Sequence, residues 1–312
     1  MQGHKITKIN IAVTNRCNLK CRHCGIWRQR SKMEMPTDLL KRILGSNALA
    51  AFPDITLTGG EPFLHPKLAK ISEIILTKKK NSLKTIVTNG VLIDDICGFL
   101  TEFSSRLVDG FSLHISFDGL SCNQEQRGIS NSLMLKNLAI IKHSFPKLEI
   151  VLKFTVSILN YHDIMPTYRF ACSKGFKIKF KLIENCQSYT KGSKFIKKEF
   201  CAAEKKSIVT SLQWVLKQEH RKHPENAMFI TRQIYSLLGE KDSLSCKTPF
   251  ERIFVLPDGS VYSCLYSKKI GSLKNTTLDK IWLSKSAKDI RQEVISEGCC
   301  GCTGYHGFAP AY

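Results

Sequence analysis

The sequence has no apolar run of the about 18 residues that a bilayer-spanning helix needs, which excludes a helical membrane anchor. Its opening, "MQGHKITKINIAV", lacks the charged and apolar regions of a secretory signal, because its apolar residues alternate as in a strand. A cytoplasmic protein is the expectation. There is no low-complexity tract and no short internal repeat, and 43% hydrophobic with 23% charged residues is the composition of a globular chain. Acidic residues are scarce: 26 Asp and Glu stand against 47 Lys and Arg, a formal net charge of +21. That excess suits an anionic partner such as a phosphorylated metabolite, an acidic peptide or a nucleic acid, or else a solvated Lys-rich surface. Much of it lies in "KGSKFIKKEF" and "KQEHRKH" rather than in a stripe of Arg interleaved with aromatics, which argues against nucleic acid.

Cysteine is the residue in surplus. Thirteen without a secretory signal point to metal ligation, not to a disulfide framework. Cys17, Cys21 and Cys24 fall together in "TNRCNLKCRHCGIW", with no fourth cysteine nearby. A disulfide takes two thiols, and a closed tetrahedral zinc or iron–sulfur site takes four ligands. Three therefore imply a metal centre with one position left open. A second group, Cys246, Cys264, Cys299, Cys300 and Cys302, lies near the end. Cys97, Cys122, Cys172, Cys186 and Cys201 are scattered and read mostly as small buried hydrophobes.

At 312 residues the chain can form one large domain and one small one. Strand-like runs "ITKINIAVT", "DITLT", "KTIVT", "GFSLHISF", "LEIVLKFTV" and "FKIKFKLI" alternate with helical stretches. Helices are predicted after Thr37 as a cap, from Pro66, and over Ile93–Phe103, Ser132–His143, His162–Lys174 and Glu199–His220. Six strand–helix units in succession predict an α/β fold with parallel strands, a partial (β/α)6 TIM-like barrel over residues 1–238. Chemistry in such folds collects at the C-terminal strand ends. The cysteine loop, "TGGEP", "TNG" and "SFDG" follow the first four strands in turn. From about residue 239 the pattern becomes "CKTPFERIFVLPDGSVYSCLYS", in which "PDG" predicts a hairpin turn. A small β-hairpin-plus-helix module over 239–312, with little core of its own and a metal staple, is expected.

C-x3-C-x2-C followed by "GGEP" after the next strand closely resembles the radical S-adenosylmethionine (SAM) superfamily. The resemblance implies that Cys17, Cys21 and Cys24 bind three irons of a [4Fe–4S] cluster and that the fourth iron chelates SAM. Reductive cleavage of SAM then gives a 5′-deoxyadenosyl radical that takes a hydrogen atom from substrate. It further implies that Gly59, Gly60, Glu61 and Pro62 contact the methionine moiety, with Glu61 accepting from its ammonium. His23 stands where an aromatic residue lies near adenine; Ser116 and Asp118 would face the ribose and Arg127 the carboxylate. Asn89 and Leu182 are further expected contacts.

The tail resembles the shortened SPASM module called twitch, which holds one auxiliary [4Fe–4S] cluster. Cys246 and Cys264 stand as C-x17-C, and Cys299 and Cys302 as C-x2-C, with Cys300 an alternative to Cys299 and His306 an odd possible ligand. Two [4Fe–4S] clusters and SAM are thus the implied cofactors. An auxiliary cluster that accepts an electron gives oxidation or a cross-link; a thiol that returns a hydrogen atom gives an epimer, for which Cys300 or Cys186 is a candidate donor. Related short enzymes act on ribosomal peptides, the reading favoured here, or as dehydrogenases and epimerases of amino sugars and cyclitols. Because the first strand begins near the start of the sequence, no fused peptide-recognition domain is expected, and a separate leader-recognition protein is an expected partner beside a low-potential flavodoxin or ferredoxin. The rival of another class is a zinc protein that binds nucleic acid. It explains the charge and the tail but not "TGGEP" or the six units.

Overall fold

The structure is a computed structural model that describes residues 4–107, 110–183, 199–240, 246–264 and 266–297. Six parallel strands form its frame: β1 (Ile6–Thr14), β2 (Leu49–Gly59), β3 (Leu83–Thr88), β4 (Ser112–Ser116), β5 (Glu149–Val156) and β6 (Lys177–Leu182). They lie in sequence order across the sheet, the arrangement of a partial barrel. Between them come helices α1 (Thr37–Leu44), α2 (Leu68–Lys78), α3 (Ile93–Phe103), α4 (Asn123–Arg127), α5 (Asn131–Ser144) and α6 (Ile164–Ser173). The expected strands are all present, and α3 coincides with its predicted span. Thr37 does not cap α1: Pro36 occupies that position, without a side-chain bond, and Thr37 begins the helix.

Alternation along the strands divides the sheet into two faces. Ile9, Ile11, Ile55, Leu57, Phe154 and Phe180 are buried toward the helices in one continuous core. On the other face, Asn10, Thr56, Thr85, Ser112, His114 and Lys179 line a cavity of about 1040 Å³. A closed eight-stranded barrel fills that space with branched apolar side chains. Six strands leave it open, and among the polar residues there the Thr85 and Ser112 hydroxyls pair with each other at 3.4 Å.

Beyond β6, α7 (Ala202–Glu219) and α8 (Pro224–Leu238) form a hairpin against the sheet edge. Only α7 was expected. Proline at the first turn of α8 and left-handed Gly239 (φ 74°) after its end are its start and stop signals. The Gln233 side chain accepts from the Leu182 amide (2.9 Å), so α8 caps an edge that would otherwise offer open hydrogen-bonding groups. Among the described residues no helix is long and apolar enough to cross a membrane.

The tail's strands continue the barrel's sheet. Strand β7 (Arg252–Val255) pairs in parallel with β1, and β8 (Ser260–Tyr262) and β9 (Lys269–Ser272) continue antiparallel, making one nine-stranded sheet. The "PDG" turn closes β7–β8 as predicted, with Gly259 at φ 81°. Ile253, Val255, Val261, Ile270, Ile281 and Trp282 join the barrel's own core, so the tail needs no separate one.

Candidate functional site

The loop after β1 carries Cys17, Cys21 and Cys24, and its backbone is fastened at both ends. The Asn15 side chain donates to the Gln29 side chain and the Ser31 carbonyl (2.8 Å each) and accepts from the Met33 amide (2.7 Å). The Trp27 indole donates to the Cys21 carbonyl (3.2 Å). Against this loop lies the end of β2. The Gly60 amide donates to the Thr14 carbonyl and the Glu61 amide to the Arg16 carbonyl, both at 2.7 Å. A Cβ on Gly60 would stand 2.0 Å from the Arg16 oxygen, and one on Gly59 (φ 149°) 2.2 Å from the Thr14 oxygen. Both glycines are there because backbone meets backbone.

Glu61 is fully buried and begins the short turn at Pro62. Its carboxylate accepts from Thr88 Oγ1 (2.7 Å), the Asn89 amide (2.7 Å) and the Phe63 amide (3.3 Å). Burial nevertheless raises its pKa to about 7, the three hydrogen bonds opposing. None of the ion pairs among the described residues includes it. A buried carboxylate so arranged is suited to an incoming cation. Asn89 is more a tie than an open ligand: its side chain donates to Asn18 Oδ1 (2.7 Å) and accepts from the Val91 amide (3.0 Å), joining "TNG" to the cysteine loop.

The three thiols, Glu61 and Arg127 influence one another electrostatically. Burial, first of all, pushes Cys21 up to about 12; Arg127 pulls it down, and Cys24, Asp118 and Cys17 push it further up. Burial also raises Cys17, assisted by Glu61 and Cys24. Thiols in this state ligate only on losing their protons to a metal centre. Among the described residues no three His, Cys, Asp or Glu side chains converge on a point that would hold a single ion. A cubane does not ask for that, since each thiolate binds a different iron. Donor chemistry, spacing on one tethered loop and the glycine cradle beside it fit such a cluster. His23 is half-buried with an Nδ1 that lacks a hydrogen-bond partner. Burial holds its pKa down at about 4, with Asp118 opposing and Arg127 assisting, so the ring is neutral.

At two of the expected cofactor contacts the side chain is engaged within the protein. Asp118 does not offer its side chain to a ligand. It is 0% exposed, and its carboxylate is committed to Arg127 Nε (2.7 Å), Gln126 Nε2 (2.7 Å) and the Thr155 amide (2.7 Å). Leu182 alternates with Lys179 and Lys181 on β6 and therefore points into the helix-side core, where it is 4% exposed. Ser116 ends β4 on the cavity face in register with Lys153. Arg127, 7% exposed, bridges Asp118 and the Cys21 sulfur (Nη1 at 3.9 Å). Sequence reasoning missed the polar web that supports it: buried Asn123, Gln126, Ser157 and Asn160 hydrogen-bond around Asp118 and the β5 end. Its one sequence signal was the density of amide side chains in "SFDGLSCNQEQRG".

In the tail, Cys246 is buried and Cys264 half-buried at the end of β8. Cys264 Sγ accepts from the Tyr266 amide (3.5 Å), and the Tyr266 hydroxyl accepts from Lys181 Nζ (2.8 Å) on β6. Tyr266 thus links the module's cysteine to Lys181 on β6. Cys186, Cys299, Cys300, Cys302 and His306 lie outside the described residues.

A family model for the radical SAM superfamily matches residues 11–171, and one for SPASM, an iron–sulfur cluster-binding domain, matches residues 246–303. The GTP 3′,8-cyclase of Clostridium botulinum (strain Hall) is 25% identical over 293 residues, covering 88% of this chain and 85% of that protein. In fold, Streptococcus suis SuiB bound to precursor peptide SuiA is similar, with a TM-score of 0.69 at 16% identity over 92% of this chain and 67% of that one. Native anSMEcpe with bound AdoMet and Cp18Cys peptide has a TM-score of 0.65 at 20% identity, over 90% and 81%.

Proposed function

The chain belongs to the radical SAM superfamily and carries a C-terminal SPASM module, and from that premise we propose that it matures a peptide substrate by hydrogen-atom abstraction within the barrel cavity. It is an enzyme whose cofactors are [4Fe–4S] clusters and SAM. In this reading Cys17, Cys21 and Cys24 hold the SAM-binding cluster, and Cys246, Cys264, Cys302 and Cys299 or Cys300 hold the auxiliary one. When bound, the first cluster supplies the electron that cleaves SAM and generates the hydrogen-abstracting radical.

What this chain's residues do follows from their surroundings. The Glu61 carboxylate, dry and held by three neutral donors, receives the methionine ammonium and is kept ionised by it. Gly59 and Gly60 hold the cysteine loop against the strand end, so that position is shared between cluster and cofactor. Neutral His23 offers an uncharged ring and its backbone to adenine. Arg127 keeps a positive charge beside Cys21, where a thiolate forms on loading; Asp118 acts by positioning Arg127. Ser116, on the cavity side of the rim, is the ribose contact.

The observation that carries the reading is the polar inner face: where a packed barrel would be apolar, Asn10, Thr56, Ser112, His114 and Lys179 line a cavity of about 1040 Å³, on the same face of the sheet as Ser116 at the strand end. Pockets for compact ligands are about 300–1,000 Å³, so the space admits a side chain together with its backbone. Support for a peptide comes from the precursor seen with SuiB and the peptide seen with anSMEcpe. A second reading, closure of a ring on a purine nucleoside triphosphate, is favoured by the full-length likeness to the GTP 3′,8-cyclase. Anaerobic, iron-loaded enzyme given SAM and a reductant separates them. Short peptides encoded beside its own gene are expected to raise 5′-deoxyadenosine output and to change mass. Stimulation by GTP with a cyclised nucleotide product would contradict the peptide reading.

A further inference from the structure

The loop that carries the three cysteines is charged in one sense only. Between residues 16 and 32 it holds six Arg and Lys side chains and no Asp or Glu. Arg16, Lys20, Arg22, Arg28, Arg30 and Lys32 are all exposed. Acidic groups reach two of them from neighbouring segments: Glu34 pairs with Arg16 (2.9 Å) and Glu125 with Arg22 (3.2 Å). Among the described residues no ion pair includes Lys20 or Arg30. Cations therefore outnumber acids on this surface, and its field attracts an anionic partner.

Two knots in the loop gather these charges into one collar. In the first, the Trp27 indole donates to the Cys21 carbonyl (3.2 Å), Arg28 lies over the Trp27 ring (4.7 Å to its centroid), and Lys32 Nζ donates to the Trp27 carbonyl (3.1 Å). In the second, the Asn15 side chain binds both Gln29 and Ser31, which sets the intervening Arg30 close to the chain at Arg16. Lys20 and Arg22 flank Cys21 itself. Consecutive Cα atoms are about 3.8 Å apart, so these two cations are rooted one residue from a cluster thiol. A half-buried tryptophan framed by arginine is also the composition of strong binding centres. The layer that holds the cluster is thus itself the outer surface of the protein.

We propose that this collar is the docking surface for an acidic electron-carrier protein. The carrier gives up one electron there, the cluster held by Cys17, Cys21 and Cys24 takes it up, and reductive cleavage of SAM consumes it. Docking depends on the cluster assignment, not on which substrate the cavity takes. Opposite charge steers the encounter, and Trp27 joins the docked face to the backbone of a cluster ligand. Nucleic acid also suits a basic surface, but it brings no electron to the thiols beneath, and a single tryptophan offers no run of stacking platforms.

The test gives the anaerobically reconstituted enzyme SAM and one of two reductants. One is reduced flavodoxin with an acidic surface; the other is reduced methyl viologen, a small cation that needs no docking. Calorimetry with oxidised flavodoxin should show binding that weakens in high salt. Lys20→Glu combined with Arg30→Glu should weaken it about tenfold or more and slow flavodoxin-driven 5′-deoxyadenosine formation. Iron content and the viologen-driven rate should stay at the wild-type level. Arg30→Glu alone, away from the cysteines, should act in the same direction, which separates docking from any disturbance beside Cys21. Lys147→Glu, exposed next to the N-terminal end of β5 and so at the opposite edge of the sheet, should change nothing. Absence of flavodoxin binding, variants that bind it as wild type does, or equal losses with both reductants would each overturn the docking surface. A single-stranded oligonucleotide that binds where flavodoxin does not would overturn it in favour of nucleic acid. Wild-type protein that fails to cleave SAM even with viologen would instead remove the cluster assignment, and the docking surface with it.

Discussion

Replacing Gly60 by alanine should unload one cluster and leave the other. The added Cβ would lie 2.0 Å from the Arg16 carbonyl oxygen, a backbone atom, where real Cβ contacts are essentially never under 3.0 Å. Either β2 or the cysteine loop must then retreat by about 1 Å or more. The retreat stretches the Gly60–Thr14 and Glu61–Arg16 hydrogen bonds, both 2.7 Å. At about 1 kcal/mol net for each bond and about 1–3 kcal/mol of overpacking strain, the cost is roughly 3–5 kcal/mol. For a chain of this size that lowers the midpoint by roughly 2 °C per kcal/mol. The larger effect is on Cys17, one residue from the displaced carbonyl. Iron analysis and electron paramagnetic resonance of the reduced protein should show the tail cluster alone, and SAM cleavage should be absent. Gly60→Ala that keeps both cluster signals, with a midpoint within a degree of wild type, would refute the claim that this glycine sets the loop's position.

Other substitutions probe the electrostatics. Glu61 has a folded pKa of about 7 against 4.5 for the free side chain. An acid so raised favours folding below pH 4.5, and that contribution is lost as pH rises through 7. The apoprotein should therefore lose about 3 kcal/mol across this window, seen as a falling denaturant midpoint; Glu61→Gln should flatten the slope and abolish SAM binding. An unchanged slope would show that Glu61 is not the group responsible. Asp118→Asn leaves the Arg127 guanidinium buried without its partner. It should cost about 3–5 kcal/mol in urea unfolding, and a loss below about 1 kcal/mol would mean the pair is solvated. Tyr266→Phe removes the acceptor for Lys181. It should leave SAM cleavage intact while altering the fraction of cleavage events that yield product.

The barrel was legible because its signals are local and periodic: "ITKINIAVT" is β1 to the residue, and Ile93–Phe103 is α3. What could not be read were long-range pairings. Strand β7 joins β1 across more than two hundred residues, and no pattern within "FERIFV" announces a parallel partner. Helix α8 was passed over because "KHPENAMF" opens on charge and proline, though proline at the first turn is a start signal. At the site, the cysteines and "GGEP" were readable since their spacing is their function. The commitment of the Asp118 carboxylate was not legible, because a motif gives position along the chain, not which neighbour has already claimed a carboxylate. Nor was the direction of the Leu182 side chain, since a one-residue difference on β6 separates the core from the inner face.

The most direct test of the whole account is 5′-deoxyadenosine formation by the anaerobic, iron-replete protein supplied with SAM and a low-potential reductant. The wild type should release it, and the variant with Ala at 17, 21 and 24 should release none while keeping the iron of the tail. Cleavage that survives in that variant, or a colourless wild-type protein that binds zinc and leaves SAM intact, would contradict it.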